Sequence, residues 1–303
     1  MASVTAHPPD APLPGGPTAA AAVAPPPAAS STATVRIEPP HGWFDLRLAD
    51  LWAYRELLYF FIWRDVKVRY KQTVIGVAWV VIQPLLTMGV FTLFFGRLAK
   101  LPSDGLPYPV FYFSALVPWT YFASALQNCT NVVVDNQRVI TKVYFPRLIL
   151  PISPVLSGLV DFSIGFVAML VVIFAYGIRP GLHVVWLPAF LLLALLTALG
   201  VGLWTAALNA LYRDVRYVVP FLMQFWMFAS PVVYPSSLIP QRFRWLFGLN
   251  PMTGVIDGFR WALTGHAQPP GAQLAASVFA VLVILAGGLL FFHHMEGAIA
   301  DRV

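Results

Sequence analysis

The chain of 303 residues is 58% hydrophobic and only 11% charged, less than half of the charged fraction that a soluble domain usually carries. This composition excludes an ordinary soluble globular protein and indicates that most of the surface faces lipid. The 19 Lys and Arg outnumber the 13 Asp and Glu, and because these cations lie between long apolar runs, they predict membrane orientation and headgroup contacts, not nucleic-acid binding.

Residues 1–40 form an Ala- and Pro-rich stretch with almost no charge and no helical period. We expect a disordered tail there. The stretch lacks the basic start and the continuous apolar core of a signal peptide, so we expect membrane insertion to depend on the later segments.

An amphipathic helix is predicted over residues 43–72. Apolar side chains recur every three or four residues from Phe44 to Val66, with one interruption at Arg55, and this is the period of a helix face. The second half places cations among aromatic residues, a pattern typical of a helix that lies in the cytoplasmic interface of a membrane. These cations are Arg64, Lys67, Arg69 and Lys71.

Residues 73–303 are predicted to form a domain of six membrane crossings. Each of six apolar segments is long enough to span about 30 Å of hydrocarbon at about 1.5 Å per residue. The segments are 74–96, 108–128, 148–177, 182–211, 217–234 and 273–293. The predicted fold class is therefore an all-α integral membrane protein. Six crossings put both termini on one side, and the distribution of Lys and Arg favours the cytoplasmic side.

A short polar island, residues 134–147, separates the second and third apolar segments. Its cations Arg138, Lys142 and Arg147 mark it as cytoplasmic. Because Arg138 and Lys142 are four residues apart, a helix would place them on one face, beside an apolar ridge. The island is either a docking surface for a cytoplasmic partner or an ordinary loop whose cations only fix topology.

The stretch 235–265, between the fifth and sixth segments, is too polar to span a membrane and too aromatic to lie free in water. We predict two short helices, broken at Asn250 and Pro251, that re-enter the outer leaflet. Broken backbone at that depth survives where it is buried in protein or lines a wet cavity. An amphipathic loop that caps the fold at the interface is the alternative.

The sequence contains few motifs that could catalyse a reaction or bind a cofactor. A P-loop needs a Gly-Lys pair to hold phosphates, and none of the four lysines follows a glycine. The adjacent His293 and His294 would point about 100° apart on a helix, which makes a poor metal pair. We therefore predict no metal and no cofactor in this chain. The single cysteine, Cys129, excludes an internal disulfide framework.

Asp161 is the one carboxylate well inside a predicted crossing. A buried acid in a membrane is costly and is a functional candidate by default. Since its own helix offers no basic neighbour, the residue is also consistent with a neutral acid or with pairing to another helix.

Aromatic residues make up 15% of the chain. Most are expected in interfacial belts or in packing, but an inward-facing subset would provide flat walls on which the apolar faces of sugar rings can stack. The candidates for such a channel wall are Phe91, Phe95, Tyr112, Trp119, Tyr121, Phe225 and Trp226.

Four blocks carry a resemblance to a known family: 57–84 (LLYFFIWRDVKVRYKQTVIGVAWVVIQP), 142–151 (KVYFPRLILP), 212–235 (YRDVRYVVPFLMQFWMFASPVVYP) and 250–263 (NPMTGVIDGFRWAL). With them the chain resembles the membrane subunit of a type-2 ABC exporter, in particular the permeases that export O-antigen and other cell-surface polysaccharides. The similarity covers about 43–303 and leaves 1–40 unexplained. His293 and His294 stand where the family leads us to expect arginines.

The resemblance implies a homodimer in the bacterial inner membrane, bound to two copies of a separate ATPase subunit that holds ATP and Mg. The cargo would be a lipid-linked polysaccharide. The polar island would be the coupling segment, with Asp135, Arg138, Lys142, Tyr144, Phe145 and Arg147 as contacts. The helix before the first crossing would gate the cytoplasmic mouth, and the broken segment, with Asn250, Pro251 and Arg260, would gate the outer mouth.

Two other functions remain open from the sequence. Within transport, the cargo could be teichoic acid, a glycolipid or a small hydrophobic drug. From a different class, a membrane-embedded transferase would need acids, a histidine or a metal cluster at one membrane face. The scarcity of Glu and the scattered Asp residues speak against such an enzyme.

Overall fold

The computed structural model describes residues 48–71, 76–265 and 271–302. The predicted tail at 1–40 and both ends of the predicted helix at 43–72 lie outside these ranges. Every regular element in the described ranges is helical, in agreement with the all-α prediction. The α-helices are α1 (Leu48–Ala53), α2 (Arg55–Tyr70), α3 (Gly76–Phe91), α4 (Tyr108–Asp135), α5 (Gln137–Ile140), α6 (Ile149–Ala175), α7 (Leu187–Leu211), α8 (Val215–Ala229), α9 (Arg244–Gly248), α10 (Pro251–Thr264) and α11 (Ala272–Arg302).

Shorter helical pieces extend or join these helices. A π-helical segment, Thr92–Leu98, continues α3. A 3₁₀ turn, Leu182–Trp186, leads into α7, and two more, Ser236–Leu238 and Gln241–Phe243, precede α9.

Within the described residues, four helical stretches are long and apolar enough to cross a membrane. They are Ala78–Leu98, Ile149–Ala175, Leu182–Leu211 and Ala272–Glu296, and they match the first, third, fourth and sixth predicted segments. At the second predicted crossing, α4 is 28 residues long but is not among these four. At the fifth, α8 is apolar but has only 15 residues. The count of six crossings therefore stays a prediction.

The central helix of the bundle is α4, which packs against α3, α6, α7, α8 and α10. It begins after Pro107, and Pro109 lies in its first turn, where the fixed φ of proline suits a helix start. Nearly every residue from Tyr108 to Phe122 is buried. The main core thus surrounds the first half of α4.

The closest approach of α7 and α11 depends on two glycines. A Cβ at Gly288 would lie 2.6 Å from the carbonyl oxygen of Gly200, and a Cβ at Gly200 would lie 3.1 Å from the backbone of Leu285. Small residues at such crossings let membrane helices pack backbone against backbone.

A second hydrophobic cluster joins α2 to the end of the bundle where α4 ends and α6 begins. Phe61 of α2 is 2% exposed, and its ring lies 5.9 Å from that of Phe145. The other buried members are Val132, Val133, Leu148, Ile149, Leu150, Leu203, Ala206, Ala207 and Phe292. The opposite side of α2 leaves large aromatic residues exposed, namely Tyr59, Phe60 and Trp63.

The segment before the last helix is broken where the sequence predicted. Helix α9 ends at Gly248 and α10 begins at Pro251. Asn250 caps α10 by accepting a hydrogen bond from the backbone N–H of Met252 at 3.1 Å, which satisfies one of the free donors at the helix start.

Substituting Gly288→Ala should destabilise the protein, because the new methyl group meets a backbone carbonyl that cannot rotate away. We expect a loss of about 1–3 kcal/mol, as for other overpacked sites, measured as a lower midpoint of thermal unfolding of the purified chain in detergent. Gly89→Ala on α3 is the matched control, since no atom lies within 4 Å of its new Cβ. Equal midpoints for both variants would contradict the close approach of α7 and α11.

Candidate functional site

A cavity of about 520 Å³ lies between α3, α4, α6 and α8. This volume is in the range of pockets that hold small ligands. Residues of α3 from Val80 to Phe91 and residues of α4 from Tyr112 to Asn128 form most of its wall, while Asp161 of α6 and Met227 of α8 contribute further side chains.

Part of the cavity lining is polar. It is formed by side chains that recur every three or four residues on one face of α4, together with two from α3. They are Thr120, Ser124, Gln127 and Asn128, with Gln83 and Thr87. Ser124 and Gln127 are exposed, and Asn131 continues the same face one turn further on, where its amide donates to the carbonyl of Gln127. The face can donate and accept hydrogen bonds to a ligand rich in hydroxyl groups.

The lining of the cavity also contains four of the seven predicted channel residues, Phe91, Tyr112, Trp119 and Tyr121. The ring of Tyr112 stacks on that of Phe91 at 4.6 Å. Its hydroxyl is buried and has no hydrogen-bond partner among the described residues. The Tyr121 hydroxyl, in contrast, donates to the carbonyl of Val155 at 3.0 Å.

The other three predicted channel residues do not line this cavity. Phe95 packs on Phe91 at 5.3 Å. Phe225 is 60% exposed on the outside of α8. Trp226 points to the broken segment, where its indole N–H donates to the side-chain oxygen of Asn250 at 2.9 Å. An aromatic side chain therefore does not by itself distinguish a residue that lines the cavity from one that packs elsewhere.

The polar island between α4 and α6 contains a single helical turn, α5, followed by a hydrogen-bonded turn at 141–143. The predicted helix that carries both Arg138 and Lys142 is wrong in this detail, because α5 ends at Ile140. Further along, Pro146 disfavours helical dihedrals at Phe145, whose side chain is buried in the second cluster, so α5 and α6 do not form one continuous helix.

The island presents a mixed cationic and apolar surface. Asp135, Arg138 and Lys142 are exposed, and so is Tyr144. A shallow groove of about 240 Å³ follows the chain, lined by Ile140, Thr141, Lys142, Val143, Tyr144, Phe145 and Arg147. Aromatic residues and arginine are enriched in protein interfaces.

The buried members of the island attach it to the rest of the protein. Phe145 packs on Phe61 of α2, and the Arg147 guanidinium donates to the carbonyl of Glu296 in α11. Asn136, which ends α4, accepts a hydrogen bond from the Arg64 guanidinium at 2.8 Å.

The cations predicted on the interface helix fall into two groups. Lys67 lies over the ring of Trp63 at 4.2 Å, and Lys71 is exposed. Arg64 and Arg69 instead face other parts of the chain: Arg64 contacts Asn136 and Asp65, and Arg69 pairs with Asp161.

Asp161 is therefore paired across helices, one of the possibilities that the sequence left open. Its carboxylate accepts hydrogen bonds from both Arg69 and Tyr70 at the C-terminal end of α2. Because Asp161 lies halfway along α6, α2 runs beside the first half of that helix and does not stop at its first turn.

The residues predicted for the outer mouth are tied into the fold. The Asn250 side chain bonds Trp226 and also donates to the Ser230 hydroxyl at 2.9 Å. Pro251 is buried at the start of α10. The Arg260 guanidinium is 2% exposed, lies 3.6 Å over the ring of Phe111 and donates to the carbonyls of Phe111 and Val232.

Sequence reasoning missed several of the residues that connect these regions. Asn136, Tyr70 and the polar face of α4 were not among the predicted site residues. The polar face did leave a signal, because polar side chains recur with helical spacing inside an otherwise apolar segment. No such signal marks Asn136 or Tyr70, because the residues that they contact are far away in the sequence.

The comparison with known proteins agrees with this architecture. The family description for the ABC-2 type transporter matches residues 56–264. The O-antigen export system permease protein RfbA of Myxococcus xanthus is 31% identical over 257 residues, which cover 84% of this chain and 98% of that protein. A protein of the same description from Klebsiella pneumoniae is 30% identical, covering 78% of this chain and 91% of that one. The polysialic acid transport protein KpsM of Escherichia coli is 22% identical, with coverage of 78% and 92%.

Proposed function

This chain belongs to the ABC-2 type transporter family, and we propose that it is the membrane permease of an exporter of lipid-linked, O-antigen-type polysaccharide. The export would run from the cytoplasm across the bacterial inner membrane. The observation that carries the proposal is the cavity whose lining combines a polar face of α4 with aromatic rings.

The lining of this cavity can contact both the hydroxyl groups and the apolar faces of a carbohydrate. Sugar hydroxyls need hydrogen-bond partners, and the side chains of Thr120, Ser124 and Gln127 supply both donors and acceptors. The C–H faces of sugar rings are apolar and stack on flat aromatic surfaces such as Trp119. The carboxylate at the cavity, Asp161, is already paired with Arg69, so the wall attracts hydroxyl groups without strongly holding a charge.

We propose that two copies of the chain form the translocation pathway, with six crossings each and both termini in the cytoplasm. The candidate span Ala78–Leu98 has no buried residue in its most apolar window, and α8 exposes Tyr217, Phe221 and Phe225 on its surface. These two helices flank the cavity. A second copy against them would enclose the cavity and extend it into a channel.

The energy for export would come from two copies of a separate ATPase subunit that bind ATP and Mg. The proposed docking segment is 135–147, where Arg138, Lys142 and Tyr144 are exposed while Phe145 and Arg147 hold the segment to the bundle. The chain itself would catalyse no reaction.

At the other end of the molecule, α9 and α10 would re-enter the outer leaflet and close the outer mouth. The break at Asn250 is anchored to Trp226 and Ser230 at the end of α8. A movement of α8 would therefore move this segment with it.

Co-purification tests the proposal directly. The tagged chain, co-expressed with the ABC ATPase encoded beside it and extracted in mild detergent, should yield a complex of two permeases and two ATPases that hydrolyses ATP. A chain that purifies without an ATPase would refute the proposed function.

Reversing the charges of the docking segment should uncouple the complex. In the double variant Arg138→Glu, Lys142→Glu we expect loss of permease-dependent ATPase stimulation and of export, with normal membrane insertion, because both side chains are exposed. Arg213→Glu, Arg216→Glu makes the same charge change at two exposed positions around the start of α8 and should retain both activities. Unchanged export in the first double variant would exclude the docking role.

The polar face distinguishes polysaccharide from a hydrophobic cargo. Ser124→Leu should lower the amount of polysaccharide at the cell surface, most strongly for long chains, because each passing sugar loses a hydrogen-bonding partner. Ser163→Leu is the matched control, since Ser163 is equally exposed on α6 but lies outside the cavity. Unaltered polysaccharide together with impaired export of a hydrophobic compound would favour the drug-export alternative.

A further inference from the structure

The strongest unassigned feature is a small cluster at the wall of the cavity, formed by Arg69, Tyr70 and Asp161 and hereafter called the junction. The Asp161 carboxylate lines the cavity, and its side chain is 22% exposed. Arg69 pairs with one of its oxygens and Tyr70 donates to the other. The acid is thus fully engaged by two consecutive residues of a different helix.

The chemical groups of the junction favour one arrangement, in which Arg69 and Tyr70 both bind Asp161. Burial raises the pKa of the Tyr70 hydroxyl above its ordinary value, against the opposing effect of Arg69, so the hydroxyl remains a donor. An aspartate that lost both partners would stand as an unpaired charge in a partly buried site, which is strongly unfavourable. The junction therefore holds the end of α2 at one position beside α6.

The same helix is held to the docking segment at points closer to its middle. Arg64 donates to the side chain of Asn136 at 2.8 Å, and the ring of Phe61 packs on that of Phe145. Between these contacts and the junction, the Ser153 hydroxyl donates to Asp65 at 3.4 Å. One continuous helix, Arg55–Tyr70, thus contacts the docking segment and the cavity wall.

The distance along α2 between these two attachments is short. Arg64 and Arg69 are five residues apart, or about 7–8 Å along a helix axis. A hydrogen-bonded helix of this length moves as a rigid body, so a shift of the docking segment that pulls on Arg64 also displaces Arg69 and Tyr70 from Asp161.

We propose that the junction is a positioning site that transmits movement of the docking segment to the cytoplasmic part of the cavity wall during export. The inference rests on the proposed function, because it needs an ATPase that moves the docking segment. An ion pair suits this role because it has two distinct states, formed and broken, and contacts of this kind are exchanged in switching transitions.

The test uses the permease–ATPase complex and three conservative variants: Asp161→Asn, Arg69→Gln and their combination. Each single variant should assemble with the ATPase and hydrolyse ATP at about the rate of the unchanged complex, while polysaccharide exported per ATP falls about tenfold, a usual size for a coupling effect. Because the two side chains act through one another, the combination should lose no more than either single change.

Two controls separate the junction from a general effect on α2 or on folding. Arg55→Gln removes an exposed cation from the same helix, whose guanidinium donates to the carbonyl of Trp52 and lies 5.7 Å from the Trp52 ring, and should export normally. Tyr70→Phe removes the hydrogen bond from the Tyr70 hydroxyl to Asp161 and should give a smaller loss in the same direction, even if the charge variants assemble poorly. Unchanged export per ATP in these variants, or losses that add in the combination, would overturn the proposal.

Failure of the proposed function is distinguishable in the same experiment. If neither the unchanged complex nor Arg55→Gln exports polysaccharide, the proposed function fails. The junction is then tested on the permease alone, by hydrogen–deuterium exchange of backbone amides. Asp161→Asn should increase exchange across residues 137–147 relative to Arg55→Gln, and equal exchange in both variants would overturn the transmission.

Discussion

The rest of this structure depends on one constraint: a polar group inside a membrane protein must find a partner in the protein or face water. Arg260 meets the constraint with two backbone carbonyls and the face of Phe111. Asp161 meets it with Arg69 and Tyr70. The exposed polar side chains of α4, such as Ser124 and Gln127, have far fewer hydrogen-bonding partners within their own chain. They line the cavity between α3, α4, α6 and α8, where they can face water.

The same constraint explains how far the sequence predicts the fold. Long uniform apolar runs have one stable arrangement in lipid, so α6 and the stretch leading into α7 were predicted within a few residues of their bounds. Helix α4 is a mixed case, because its first half is buried in the core while its second half carries the polar face. The mean hydropathy of α4 averages these two halves and is therefore lower than that of the neighbouring helices α3, α6 and α7.

The site was less predictable than the fold, for reasons that particular residues make clear. Aromatic type indicated Tyr112 and Trp226 equally well, yet one ring lines the cavity while the other holds Asn250. An aromatic ring serves packing and ligand contact alike, and only the direction of the side chain separates the two. A serine or glutamine in a membrane helix has fewer roles than an aromatic ring, because its polar side chain needs a hydrogen-bonding partner. Polar residues with helical spacing were therefore the better signal of the cavity.

Helix α2 gives the clearest case of information that a linear pattern does not contain. Its basic residues look alike in sequence, but Arg69 lies beside the middle of α6 whereas Lys71, two positions on, is exposed. The difference follows from packing, because burial of Phe61 against Phe145 sets the rotation of the helix. Once that rotation is set, Arg64 and Arg69 face the bundle and Lys67 can only lie over Trp63. A single apolar contact thus determines which cations remain available for lipid headgroups and which hold the protein together.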